Sequence, residues 1–249
     1  MAKKYTYAQT VCIRMAGKCM QKTGQLWPQC RVGVAISGGV DSAVLLKVLL
    51  ERQKILPFSF EIMALHLNPG FDVHVHQQLW PWLEELGVAV HLELCDFGVL
   101  AHSAENKKKS PCFRCAWLRR KRLFALCAQY GLTHLAFGHT LEDLTTSFFM
   151  NLARNGRVEG MHMREPFFSG KLQVIRPLLL VEKKYIQAAA RQWKLPVFAN
   201  VCPSAGNTER SAMEKRLQIS FGSENMLRSI KNAVARFELE HDKITESNQ

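Results

Sequence analysis

Two glycines, two serines and one aspartate fall together in Ser37-Gly38-Gly39-Val40-Asp41-Ser42, between the apolar runs Val34-Ala35-Ile36 and Ala43-Val44-Leu45-Leu46. The pattern reads as a strand, a tight turn and the N-terminus of a helix. Gly38 and Gly39 let backbone N–H groups approach an anion without a Cβ in the way, Ser37 and Ser42 add hydroxyl donors, and the helix dipole favours negative charge. The chemistry this suits is phosphate binding, with Asp41, the one carboxylate of the loop, placed to orient a metal ion. The loop lacks the Gly-Lys-Ser/Thr ending of the common nucleotide-triphosphate loop and the third glycine of a dinucleotide turn.

A second constellation is made of thiols. Cys112-Phe113-Arg114-Cys115 puts two cysteines three apart at an expected helix start, where the dipole lowers thiol pKa and both sulfurs can reach one metal. Zinc, a redox pair and plain packing all remain open for a single such pair. Cys202 is a further cysteine outside any core-like pattern, whereas Cys12, Cys19, Cys30, Cys95 and Cys127 read as small buried hydrophobes.

Alternating strand and helix patterns place these residues. Strands are expected at 31–36, 61–67, 88–94, 133–137 and 172–175. Helices are expected at 5–24, 42–53, 74–86, 112–130, 141–153 and 181–193, with one or two more over 208–240. That order implies an α/β fold: a Rossmann-like, doubly wound, mostly parallel sheet with helical additions at both ends. The chain is expected to divide into an N-terminal helical segment (1–27), a nucleotide-binding α/β domain holding the cysteine pair (28–200) and a C-terminal cysteine loop with helices (201–249). Ligands in such sheets bind beyond the carboxyl ends of the strands. The phosphate loop, His66-Leu67-Asn68 and Gly138-His139 all fall on that edge.

Over 249 residues the net charge is +12, which favours a polyanionic partner such as RNA. Between Glu105 and Glu142 there is no carboxylate, yet Lys107, Lys108, Lys109, Arg114, Arg119, Arg120, Lys121 and Arg122 all lie there. Lys183, Lys184 and Arg210 read equally as basic surface or as solvated helix faces. No hydrophobic signal core follows Met1-Ala2-Lys3-Lys4, and the apolar runs are strand-length, so a cytoplasmic protein with no membrane partner is expected.

The string Ser-Gly-Gly-Val-Asp-Ser resembles the pyrophosphatase loop of the PP-loop (N-type ATP pyrophosphatase) family, whose members adenylate a carbonyl and release pyrophosphate. Several further features resemble bacterial tRNA 2-thiocytidine synthetases over roughly residues 30 to 217. They are the cysteine pair followed by Leu118-Arg119-Arg120, Gly138-His139 before Glu142-Asp143, Ile175-Arg176-Pro177-Leu178, and the late Cys202. That resemblance implies ATP, Mg2+ and a [4Fe-4S] cluster on Cys112, Cys115 and Cys202 with one iron left open. It implies nucleotide contacts from Ser37, Gly38, Gly39, Asp41, Ser42, His66, Asn68, Gly138, His139 and Asp143. It also implies tRNA contacts from Arg119, Arg120, Lys121, Arg122 and Arg176.

The reaction implied is adenylation of the C2 carbonyl of an anticodon-loop cytidine, at position 32, then sulfur transfer with release of AMP and pyrophosphate. Asp41, Cys112, Cys115 and Cys202 are its catalytic set. Sulfur comes from a cysteine desulfurase or sulfide, and a homodimer fits the family. Val40 stands where the family usually has lysine, Asn68 where Asp is common, and Thr140, Leu141 and Glu142 depart from its Gly-His-x-x-Asp-Asp. A lysidine-synthetase-type ligase and a non-catalytic metal-containing RNA-binding protein are the alternatives.

Overall fold

The computed structural model describes residues 5–72, 74–104, 106, 110–198 and 201–247. The opening Met1-Ala2-Lys3-Lys4, the lysines Lys107, Lys108 and Lys109, and Asn200 lie outside them.

The chain begins with α1 (Tyr7–Lys22), started by a capping box between Thr6 and Gln9. It continues through β1 (Arg31–Ile36), α2 (Val40–Gln53), β2 (Glu61–Asn68), α3 (Val75–Glu85) and β3 (Ala89–Leu94). Next come α4 (Phe97–His102), α5 (Pro111–Gln129), β4 (His134–Ala136) and α6 (Leu141–Asn155). The remainder is β5 (Arg164–Phe167), β6 (Leu172–Ile175), α7 (Lys183–Gln192), α8 (Glu209–Ser220) and α9 (Glu224–Ser247).

The strands form one sheet in the order β3-β2-β1-β4-β6-β5, parallel except for β5 against β6. Central β1 is apolar on both faces because helices cover both. Val32 and Val34 are fully buried, and Leu45, Leu46 and Leu49 of α2 close one side. Each such leucine contributes about 1.5–3 kcal/mol by leaving water. On the opposite side Leu123, Leu126 and Cys127 of α5 pack with Leu65 and Leu135. The α1 helix shares the main core through Ala8, Cys12, Ile13, Ala16 and Met20, while α6 and α9 meet in a third cluster around Leu144 and Val234.

Strand order decides where a ligand can sit. From β1 the chain moves outward through β2 and β3, then returns to the other side of β1 as β4, so the sheet switches direction between β1 and β4. At such a point the loops leave the strand ends on opposite sides and open a crevice. The phosphate loop leaves β1 and Gly138-His139 leaves β4, on the two sides of that crevice.

Two elements are absent from the sequence expectations. The antiparallel edge strand β5 contains Pro166 and shows no alternation, which an edge strand tolerates because one side needs no donors. The α4 helix has six residues, too few for a period to register. Among the described residues, no helix is long and apolar enough to cross a membrane.

Candidate active site

The loop from β1 to α2 is shaped by its own hydroxyls. Ser42 Oγ accepts the Ser37 N–H at 3.1 Å and donates to the Gly39 carbonyl at 2.9 Å, and Ser37 Oγ accepts the Gly39 N–H at 3.2 Å. Gly38 sits at φ +83°, where a Cβ is disfavoured, and Gly39 is the N-cap of α2. Val40 turns inward and packs against the core, so this loop carries no cation of its own.

Across the crevice Gly138 lies against the loop backbone. A Cβ there would stand 2.9 Å from both the carbonyl carbon and oxygen of Asp41 and 3.1 Å from the Ser42 nitrogen. Only glycine lets the β4 loop approach this closely. His139 follows, with burial and then the nearby Arg176 pulling its pKa down to about 3, so the ring is neutral at physiological pH.

Two buried polar atoms here have no hydrogen-bond partner among the described residues: Asp41 Oδ1 and His139 Nδ1. Buried polar atoms are ordinarily paired, so this pair marks a place for a ligand. The other Asp41 oxygen is 3.7 Å from Lys183 Nζ, at the start of α7. Burial raises the Asp41 pKa; Lys183 opposes that, while Asp143 and Glu142 add to it. A divalent cation would relieve this crowding of carboxylates, and Asp41 is the residue fitted to hold it.

Asp143 is less available than the sequence reading implied. Its Oδ2 accepts the Thr140 N–H at 2.8 Å as half of a capping box, and its Oδ1 takes Arg210 Nη1 at 3.2 Å. Glu142 accepts the Lys183 backbone N–H at 2.9 Å and Lys231 Nζ at 2.7 Å. The departure at Glu142 therefore joins α6 to α7 and α9, while Thr140 caps α6.

These residues line a cavity of about 470 Å3. Ser37, Gly39, Asp41, Ser42, Gly138 and His139 form its phosphate end, with Gly38 just behind, and Asp143 also borders it. His66 and Asn68, at the end of β2, face the same space. His66 Nδ1 lies 2.9 Å from the Ile36 carbonyl, which can only accept, so that nitrogen carries the proton. Asn68 donates to the Asp72 carbonyl at 2.7 Å and accepts from Gly70 at 3.0 Å, shaping the turn after β2.

The cysteines stand on another wall. Cys112, Cys115 and Cys202 all border the cavity, and all are free thiols. Burial raises the Cys115 pKa, Arg119 lowers it, and Cys202 and Cys112 raise it again, so the three thiols feel one another. Among the described residues no three His, Cys, Asp or Glu side chains are close enough to chelate a single ion. The thiols share a wall without forming a closed chelate. Cys12, Cys19, Cys30 and Cys127 are buried as anticipated, while Cys95 is half-exposed and donates to Glu93 at 3.5 Å.

Sequence reasoning missed what links the two walls. Phe198 N–H donates to the Gly38 carbonyl at 3.0 Å, tying the chain four positions before Cys202 to the phosphate loop. His102 turns its protonated Nδ1 to the Gly98 carbonyl at 2.9 Å, so Nε2 accepts from Ser204 Oγ at 2.8 Å and steadies the Cys202 loop. Nothing in local spacing signals either contact.

The basic residues separate into groups. Arg119 reaches the cavity; although it is exposed, protein crowds its charge and pulls its pKa down. Arg120 and Lys121 are exposed on α5. Arg122 is bonded to Glu93 at 2.8, 3.0 and 2.7 Å. Arg176 is 8% exposed, bonded to the His162 carbonyl and ion-paired with Glu165 at 3.1 Å. Its charge serves the β5–β6 edge.

A family model described as a PP-loop domain matches residues 11–217. The tRNA-cytidine(32) 2-sulfurtransferase of Pseudomonas putida (strain GB-1) is 34% identical over 208 residues, covering 82% of this chain and 75% of the relative. That of Pseudomonas fluorescens (strain Pf0-1) is 32% identical over 230 residues, covering 89% and 83%. The U34-tRNA thiolase of Methanococcus maripaludis, solved with its [4Fe-4S] cluster, superposes with a TM-score of 0.72 at 22% identity, covering 94% of this chain and 80% of that one. The last likeness speaks to the fold. Sequence identity across four-fifths of the chain, with a family match running from α1 into α8, gives the placement: the chain belongs to the PP-loop family, among its tRNA-cytidine 2-sulfurtransferases.

Proposed function

We propose that this enzyme replaces the C2 oxygen of cytidine 32 in a tRNA anticodon loop with sulfur, using ATP, Mg2+ and a [4Fe-4S] cluster. The observation that carries this reading is the single cavity, bordered at one end by the anion loop and on another wall by Cys112, Cys115 and Cys202. Activation and sulfur delivery then act on one base without its leaving the site.

The loop amides with Ser37 and Ser42 hold the leaving pyrophosphate, and Asp41 would hold the metal ion, which would supply positive charge to the phosphates. The cytidine C2 oxygen attacks the α-phosphorus and pyrophosphate departs. Sulfur then bonds to C2, and the C–O bond breaks with AMP carrying away the oxygen. Arg119, inside the cavity, offsets negative charge as the adenylate forms. Neutral His139 offers an uncharged hydrogen-bonding ring beside the nucleotide. Cys112, Cys115 and Cys202 would hold the cluster, which when bound supplies an open iron for sulfide. Sulfide or a cysteine desulfurase provides the sulfur.

The test is anaerobic reconstitution with iron and sulfide, then incubation with ATP, Mg2+, sulfide and unmodified tRNA, followed by nucleoside mass spectrometry. The expected product is 2-thiocytidine, formed with equal amounts of AMP and pyrophosphate. Cluster-loaded protein that binds tRNA and ATP yet yields neither 2-thiocytidine nor AMP would sink the reading.

A further inference from the structure

Helix α5 meets different surroundings around its circumference. Successive residues advance by about 100°, which groups Cys112, Cys115, Arg119 and Leu123 on the cavity side. Phe113 and Trp117, one turn apart, fall on another side and remain 52% and 55% exposed. Lys121 Nζ stands 5.6 Å from the Trp117 ring centre, and Arg120 is exposed beside them. Two turns beyond Trp117, Phe124 packs at 5.0 Å from Phe167 and 5.5 Å from Phe168. Phe168 lies just after β5 in the β5–β6 hairpin and is 60% exposed.

One exposed aromatic needs no explanation, but a row of them interleaved with cations does. Burial of each ring would have stabilised the fold, and the row forgoes that. Arg120 and Lys121 are exposed beside the rings, while Arg122 is balanced by Glu93, so cations stand among the aromatics. Rings for base faces and cations for the backbone are the two requirements of a single-stranded nucleic acid.

We propose that Trp117, with Phe113 and Phe168, forms a stacking platform for unpaired bases that flank the reacting base in the RNA. This rests on the thiolation reading for the identity of the RNA. The platform lies more than a quarter-turn round α5 from the cavity wall, so the reacting base and the stacked bases are different nucleotides. Splaying a loop in this way holds the target base extruded while its neighbours stay stacked on protein.

The test uses the cluster-loaded full chain, with affinity for unmodified tRNA measured by fluorescence anisotropy over a salt series. W117A is expected to weaken binding on the order of 5- to 100-fold with the salt slope unchanged, because a ring and not a charge has been removed. W117F keeps affinity within about threefold, and K121A instead lowers the salt slope by about 1. In turnover, W117A raises KM for tRNA and leaves kcat near wild type. Wild-type affinity in W117A overturns the platform, as does a loss of affinity accompanied by a changed salt slope. If W117A instead impairs only the use of a protein sulfur donor, the surface belongs to that donor and the proposal fails. A Trp117-dependent tRNA affinity in an enzyme that makes no 2-thiocytidine sinks the thiolation reading and leaves the platform standing.

Discussion

Gly138→Ala isolates the contact between the two sides of the nucleotide crevice. The φ of Gly138 is not positive, so an alanine meets no backbone objection and its whole effect is steric. Its Cβ would sit 2.9 Å from the Asp41 carbonyl carbon and oxygen, where ordinary contacts begin at 3.4 Å. Both neighbours are backbone and cannot rotate away, so the loops must part by about 0.5 Å. Overpacking of this size costs about 1–3 kcal/mol, which lowers Tm by roughly 2–10 °C in a chain of this length. The larger effect is on chemistry. A misplacement of 1 Å costs on the order of 100-fold, so half of that is worth about tenfold in kcat, alongside weaker ATP binding. Calorimetric ATP titration, thermal melts and single-turnover AMP release measure the three quantities. Unchanged ATP affinity and AMP release in G138A would refute the argument that these loops meet around the nucleotide.

D41N should abolish AMP release while the protein keeps or gains stability at neutral pH. Burial raises the folded Asp41 pKa, so the folded state holds its proton more tightly and stability falls as pH rises through the window above 3.8; melts of both proteins at pH 4 and pH 7 test the sign. E93Q should cost about 1–3 kcal/mol at pH 7 in urea unfolding, because Arg122 loses a charged partner. Glu93 is held down to about 2 chiefly by the hydrogen bonds from Arg122, so its stabilisation is complete above about pH 4.5 and is lost toward pH 2, and the E93Q deficit should shrink by pH 3. C202A should lose iron and 2-thiocytidine formation, read by metal analysis and nucleoside mass spectrometry on the same preparation.

Much of the frame is local and therefore legible. β1 and β6 are buried on both faces and appear as the apolar runs 31–36 and 172–175, which match their observed ends. The phosphate loop and the cysteine pair are equally local, since spacing within four to six residues carries their chemistry. What escaped is long-range pairing. Arg122 is balanced by Glu93, 29 positions away, so a stretch that looked uniformly cationic is partly neutralised across the sheet edge. Asp143 is engaged by Arg210, 67 positions on, which no local pattern announces. Nothing local announced the partners of Arg176, His162 and Glu165, because they belong to the region of an edge strand that sequence periodicity did not reveal.

The hydrogen bond from Phe198 to the Gly38 carbonyl makes the two walls of the cavity parts of one equilibrium. Anion binding that draws the Gly38 peptide toward phosphate acts on the chain leading to Cys202, and ordering of Cys202 acts back on the loop. Thermodynamic reciprocity requires the two effects to be equal: whatever factor nucleotide adds to cluster retention, the cluster adds to nucleotide affinity.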